Sequence, residues 1–348
     1  MQKNWGGNKM RNHEVVTKQR LLDKHGQIAE PGWSRQLLQE YSRADIKAPK
    51  FRIKEWDYYL VTAGDFGIAM TIGDLGYIGM ESATFFDFKN RWEHTEEVLA
   101  RMPMGKLNLP SHSGFGVSEY KDERVHLKAV VENGTRHITC DFKKFDGEKE
   151  LHFDIVLTEP EMDTMVIATP WDKKHCFYYN QKINCLLASG WVEYDGKRYE
   201  FHPETDFGTM DWGRGVWTYD NIWYWGTGNG IVNGKPLGIN IGYGFGNTSA
   251  ASENLVIYDG KAHKLDDITI HIQGKEYLKP WKITSSDGRF EMDFAPILDR
   301  ASETDFKIVG SWQHQVFGYL TGTVILDDGT KLELENFLCG VEVVRNKY

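Results

Sequence analysis

The 348-residue sequence is informative first for what it lacks. No run approaches the ~18 apolar residues of a bilayer crossing, and the opening MQKNWGGNKMRNHEVV has no apolar core of a secretion signal. A cytoplasmic protein with no membrane span is expected. Only four cysteines occur, Cys140, Cys176, Cys185 and Cys339, and none forms a CxxC pair, so reduced thiols are expected rather than a disulfide frame. Lys and Arg total 41 against 50 Asp and Glu, a net charge of −9 without a basic cluster, which speaks against a nucleic-acid partner. The twelve histidines are scattered with no HxH or HExxH spacing, so no metal is expected. Phosphate-loop, dinucleotide and GxSxG signatures are missing too, and WGTGNG at 225–230 reads as a turn; no cofactor is expected.

What is abundant is glycine, at 35 residues, and aromatic rings, at 13% of the chain; together they favour a β-rich fold, because turns consume glycine and pleated faces accept large rings. From Phe51 onward, strand-length runs such as FRIKEWDYYLVTA and FGIAMTI are cut by Gly and Asp. Residues 93–101, EHTEEVLAR, are the exception: a charged stretch stopped by Pro103 that predicts a helix. Seven dipeptides, Asn133-Gly134, Asp146-Gly147, Asp195-Gly196, Asn233-Gly234, Asp259-Gly260, Asp287-Gly288 and Asp328-Gly329, sit between β-like runs and predict hairpins of an up-and-down architecture. In TVILDDGTKLELENF, Leu332 and Leu334 face one way and Glu333 and Glu335 are expected to face solvent. The expected organisation is all-β with few short helices: an N-terminal strap over 1–50 that packs Trp33, a first β-domain over 51–175 and a second over 176–348.

The candidate site centres on 207–225, FGTMDWGRGVWTYDNIWYW, where Trp212, Trp217, Trp223 and Trp225 are interleaved with Asp211, Arg214 and Asp220. A carboxyl walled in by indoles is hard to ionise and can serve as a general acid, whereas an adjacent Arg would hold it as an anion; both readings of Asp211 and Arg214 stay open, as does a purely structural ion pair. Glu253, after Ser249-Ala250-Ala251-Ser252, completes the catalytic candidates. Asn180, Lys182 and Asn184 alternate in an extended segment and predict a polar wall for a ligand, with solvent exposure as the alternative. In LGINIGYGFG, 237–246, one strand face is nearly bare backbone around Asn240, which invites close approach of a ligand, a ring or another strand.

Three long motifs, YNQKINCLLASGWVEYDGKRYEF, DWGRGVW and INIGYGFGNTSAASENLVIYDGKAHKL, resemble the DUF2804 family, and LLDKHGQIAEPGWSR and WDYYLVTAGDFGIAMTIGDLGYIG extend the resemblance over nearly the whole chain. More distantly the chain resembles tandem lipocalin-like hydratases and cyclases, the carotenoid hydratase hydroxyneurosporene synthase and tocopherol cyclase. That resemblance implies two lipocalin-like antiparallel β-barrel or sandwich domains and an aromatic pocket between them for a hydrophobic substrate; it carries no catalytic residue across. Three functions follow as expectations: a cofactor-independent lyase, hydratase or isomerase on a small hydrophobic or amphipathic substrate; a non-catalytic small-ligand carrier; and a glycoside-active enzyme using a carboxylate pair among Asp206, Asp211, Asp220 and Glu253.

Overall fold

The computed structural model describes residues 12–305 and 309–347. They form two curled antiparallel sheets of thirteen and nine strands and a small parallel pair, Gln19–Arg20 with Gln39–Glu40, with only two short 3-10 turns, Arg43–Asp45 and Lys50–Arg52. Among the described residues no helix is long and apolar enough to cross a membrane.

The hairpin chemistry decides much of this topology. Asn133-Gly134, Asp195-Gly196, Asn233-Gly234 and Asp259-Gly260 have positive φ at both residues, the geometry that matches the right-handed twist of paired strands. At 146–147, 287–288 and 328–329 only the glycine has positive φ, and each of these turns also joins sequential antiparallel strands.

Phe207–Val216 lies at the centre of the first sheet, between Ile53–Thr62 and Phe177–Tyr194, and all ten of its residues are buried. The second sheet begins with Asp220–Val232, which pairs Lys235–Tyr243 on one side and the last strand, Lys331–Lys347, on the other. The sheets therefore divide the chain between Val216 and Asp220, not at residue 176. The mixed composition over 160–190 marks instead a loop between Met165–Pro170 and the 18-residue strand Phe177–Tyr194, whose register shifts between Ile183 and Leu186 with Cys185 at φ +56°.

Residues 92–101 are not a helix. Trp92–Arg101 is the edge strand of the first sheet and pairs Ile78–Asp87 along its whole length. Charges such as Glu93, Glu96 and Glu97 suit a sheet edge, where they discourage pairing with another chain, and the pairing offered by the neighbouring strand overrides a local helical preference.

Three apolar layers result. One fills the first curled sheet, around Tyr59, Met70, Phe85 and Leu127; another fills the second, around Ile239, Ile283, Phe290 and Val341; the third lies between the sheets and holds Trp33, Tyr58, Tyr178, Trp217, Trp225 and Phe245. Trp33, 2% exposed, sits on the short strand Gly32–Ser34 paired to Met165–Pro170, and Arg35 ties the strap to Asp163 at 2.7 Å and to the Ala262 carbonyl at 3.3 Å. Of the expected strap, residues 1–11 lie outside the described residues. Leu332 and Leu334 are buried while Glu333 and Glu335 are exposed, as their alternation requires. All four cysteines are free and buried.

Candidate active site

Strand alternation sorts the central segment. Met210, Trp212 and Arg214 point into the first sheet's own interior, while Thr209 and Asp211 point across to the second sheet. Asp211 and Arg214, three apart, are therefore on opposite faces and do not pair. Arg214 is fully buried, donates to Asp57 Oδ1 at 2.9 Å and to the carbonyls of Trp56, Gly213 and Pro110, and lies 4.3 Å from the Trp212 ring; Trp212 itself packs edge-on against Tyr41 and Tyr179. Both belong to the packing of the first sheet.

Asp211 instead receives Lys182, its direct register partner on the neighbouring strand, with Nζ 2.7 Å from Oδ2. Its Oδ1 accepts from Asn180 Nδ2 at 2.6 Å and from Trp56 Nε1 at 3.2 Å. Trp56 reaches that oxygen by lying across Gly213, where a Cβ would stand 2.0 Å from the ring atom Cζ2. Gly213→Ala is thus expected to expel the indole from its place, at about 1–3 kcal/mol of overpacking, with a shift in tryptophan fluorescence; an unshifted spectrum and an unchanged melting curve would refute this contact.

The Lys182 ammonium lies 3.3 Å from the Tyr178 hydroxyl and 4.4 Å from the Trp225 ring centre, a cation–π contact in a buried setting. Trp225 Nε1 donates to Asn240 Oδ1 at 2.8 Å, and Asn240 Nδ2 donates to the Glu253 carbonyl at 2.9 Å, so Asn240 orients a ring and touches no open space. Glu253, 3% exposed, stands behind Tyr178, with Oε2 3.5 Å from its hydroxyl and Oε1 unbonded. Burial pushes its pKa up to about 7 against the pull of Lys182. The bare face of the 237–246 strand explains its fit: a Cβ on Gly242 would lie 2.7 Å from Glu253 Oε1, and one on Gly238 would lie 2.6 Å from Asn184 Cβ. Glycine there lets the two sheets touch. Asn184 is part of this seam, donating to Thr227 Oγ1, Asn229 Oδ1 and the Ile239 carbonyl. Asn180, Lys182 and Asn184 do share one face, and that face is buried.

Lys182, Asp211 and Tyr178 open onto a cavity of about 300 Å³ between the sheets, walled by Trp56, Trp217, Trp223, Trp225 and Phe245. Two rows of side chains, each drawn from directly paired strand positions, cross its depth. On the first sheet the row runs Lys182, Asp211, Tyr58, Thr71, Ser82 and Glu97; on the second it runs Trp225, Glu342, Gln315 and Arg300. Gln315 Nε2 donates to Tyr58 OH at 3.2 Å and so joins the rows. The next row along the first sheet, about 7 Å away at two residues' rise, is apolar, with Trp56, Met80 and Leu99, and Trp223 and Val344 stand at the matching positions of the second. Turn residues Leu75 and Tyr77, with Val309 and Asn346, place the mouth beyond that apolar belt.

Glu342, Arg300, Gln315, Tyr58, Tyr178 and Trp56 were not singled out by sequence reasoning. Glu342 is partly exposed, and that exposure is to the cavity it lines. Its Oε1 accepts from Trp223 Nε1 at 2.8 Å, and no described residue bonds its second oxygen. Burial raises its pKa to about 7, with the Trp223 hydrogen bond and Lys182 acting the other way and Asp211 adding to the rise.

Of the four carboxylates considered for glycoside chemistry only Asp211 lines the cavity. Asp206 caps the turn at His202, Asp220 pairs with Arg345 on the surface, and Glu253 is behind Tyr178, so these four supply no pair across a common cleft. Among the described residues no cluster of three His, Cys, Asp or Glu is placed to hold a metal ion.

The family model described as "Domain of unknown function (DUF2804)" matches residues 12–348. No curated protein matches the sequence. Among solved structures, the chain is similar to CghA in its complex with Sch210972, at 11% identity and a TM-score of 0.49 over 95% of this chain and 98% of that one. It is also similar to kievitone hydratase from Nectria haematococca, at 10% identity and a TM-score of 0.47 over 95% and 98% of the two chains.

Proposed function

We propose that this chain, which belongs to the DUF2804 family, is a cofactor-independent acid–base enzyme of the lyase, hydratase or isomerase kind, acting on a small amphipathic substrate held between its two sheets. The observation that carries the reading is the meeting of Lys182, Asp211, Tyr178 and Glu342 in a cavity otherwise walled by indole and phenyl rings. An apolar pocket with a few convergent polar groups and a carboxyl titrating near neutrality is the arrangement that proton transfer requires.

The roles follow from what each atom has left to offer. Both Asp211 oxygens are taken, by Lys182 on one and by Asn180 and Trp56 on the other, so Asp211 anchors Lys182 and does not exchange protons with substrate. Glu342 has an unbonded oxygen facing the cavity and is poised to remove a proton from carbon and return it elsewhere. The electron pair left behind moves onto a substrate oxygen, where the Lys182 ammonium, held between Asp211 and the Tyr178 hydroxyl, meets the developing charge. Return of the proton to a different carbon is an isomerisation; departure of a β-hydroxyl as water, protonated by the same carboxyl, is a dehydration whose reverse is hydration.

The test is incubation of the protein with a small-molecule extract of its source cells in deuterated water, followed by mass spectrometry. A compound that takes up deuterium at carbon, or gains or loses water, with wild type but not with Glu342→Gln is the expected result. A ligand retained in native mass spectra with no compound altered would leave the carrier reading in its place.

A further inference from the structure

We propose that Arg300, at the end of the second sheet's polar row, and Tyr58, which faces it through Gln315, form an anion-receiving pair, so that the ligand of this cavity is an amphipathic anion: a carboxylate, or an equivalent oxyanion, on an apolar body. This assignment rests on the cavity being a ligand site, as in the preceding reading, and adds to it the chemistry of the ligand.

The argument begins with how the two cations of the cavity are compensated. Lys182 is neutralised by Asp211. Arg300 is not: its Nε donates to Thr95 Oγ1 at 2.8 Å and its Nη1 to Gln315 Oε1 at 3.0 Å, both uncharged partners, and no described carboxylate pairs with it. A guanidinium that is half-buried against an aromatic-walled cavity with no carboxylate in direct contact, Glu342 attracting it only from a distance, is costly to desolvate, and an incoming anion offsets that cost. The planar fork of Arg suits a carboxylate in particular, because two parallel N–H groups can meet its two oxygens.

The hydrogen-bond directions lead to the same place. Thr95 Oγ1, which receives Arg300 Nε, itself donates to Glu93 Oε2 at 2.9 Å, fixing the guanidinium plane from behind. Gln315 has its carbonyl oxygen committed to Arg300 and its amide committed to Tyr58 OH, which accepts at 3.2 Å. Two donors are then left with no acceptor among the described residues: Arg300 Nη2 and the Tyr58 O–H proton. Both residues line the cavity, and Gln315, bonded to each, sets their spacing. A receptor with donors only and no acceptor selects an anion over an alcohol or an amine.

The position fits the reactive centre. Glu342 occupies the strand between Trp225 and Gln315, so a molecule anchored at Arg300 lays its next atoms toward Glu342, Lys182 and Tyr178, and its apolar remainder along Trp56, Trp223 and Leu99 to the mouth. The charged groups facing the anchored anion are Arg300 and Glu342 and, on the first sheet, Asp211 with Lys182 and Glu97, with Glu93 behind Thr95. An ionised Glu342 opposes binding and a protonated one does not, so affinity for the anion falls as pH rises past neutrality.

The test uses decanoate, decanol and decyltrimethylammonium as probes in isothermal titration calorimetry on the full chain. Wild type is expected to bind decanoate at least about tenfold more tightly than decanol and to reject the cation. Arg300→Gln is expected to erase the preference while decanol binding persists, which also shows that the cavity is intact. Tyr58→Phe is expected to weaken decanoate alone, by about three- to tenfold for one lost hydrogen bond. Equal binding of decanoate and decanol, an unchanged preference in Arg300→Gln, or no binding of any probe overturns the anion assignment. Those outcomes leave the acid–base reading to its own deuterium experiment, which depends on Glu342 and not on Arg300.

Discussion

Glu342→Gln is expected to lower turnover about 10²–10⁴-fold, the usual worth of a positioned general acid or base, while the protein stays folded. Glutamine keeps the shape and can still accept from Trp223 Nε1, so the wall is preserved and only the titrating proton is lost. The variant is also expected to be the more stable protein at and above neutral pH. In the native state the carboxyl titrates at about 7 against an ordinary 4.5, so the folded chain binds more protons than the unfolded chain between those values. Stability contributed through this group is therefore lost as pH rises through that window. Melting curves of wild type should drop more steeply than those of Glu342→Gln between about pH 5 and pH 8. The acidic or basic limb of the wild-type kcat/KM profile near pH 7 should vanish in the variant along with its rate. A variant with full activity and the same pH profile would remove Glu342 from the chemistry.

Lys182→Met has the largest expected effect on the fold. The pair with Asp211 is almost dry, with side-chain exposures of 2% and 10%, and removing one member strands the other charge, at a cost of about 3–5 kcal/mol. Chemical denaturation should reveal the loss as a lower midpoint at unchanged slope. Lys182→Met combined with Asp211→Asn should recover much of the stability, because no uncompensated carboxylate remains and Asn still meets Trp56 and Asn180 with its carbonyl oxygen. Neither protein should turn over substrate, since the ammonium that receives negative charge is gone from both. A single variant as stable as wild type, or a double variant no better than the single, would show that the ion pair is not what holds this wall.

The segment 207–225 contains Asp211, Trp217, Trp223 and Trp225, which line the cavity, and the shared polar face of the 180–184 strand was readable because alternation is a local property of extended chain. The same alternation, applied once more, already separates Asp211 from Arg214: three residues along a strand means opposite faces. What local reasoning could not supply was register. Glu342 stands in GVEVVRN with no motif around it, and Arg300 in LDRAS looks like any surface arginine. They meet the site because four strands of the second sheet align Trp225, Glu342, Gln315 and Arg300 in one row, a fact set by pairing between residues more than a hundred positions apart at its widest. The helix expected at 93–101 failed for a related reason: its pairing partner, Ile78–Asp87, decided its conformation, and the strand that formed carries Glu97 and Leu99 to the cavity and sets Thr95 against Arg300. The glycine-faced strand was correctly seen as a place of close approach, with the second sheet meeting the first there rather than a ligand.

The short crossing between Val216 and Asp220 has a consequence for anyone wishing to shrink or recombine this protein. Everything before it carries Lys182, Asp211, Tyr178 and Tyr58; everything after it carries Glu342, Arg300 and Gln315. Neither half encloses the chamber alone, since each owns one of its walls. Chimaeras joined at Thr218-Tyr219 would exchange the wall that carries Glu342 and Arg300 as a block against a constant wall that carries Lys182, making this three-residue junction the natural place to reprogram which molecule the chamber admits.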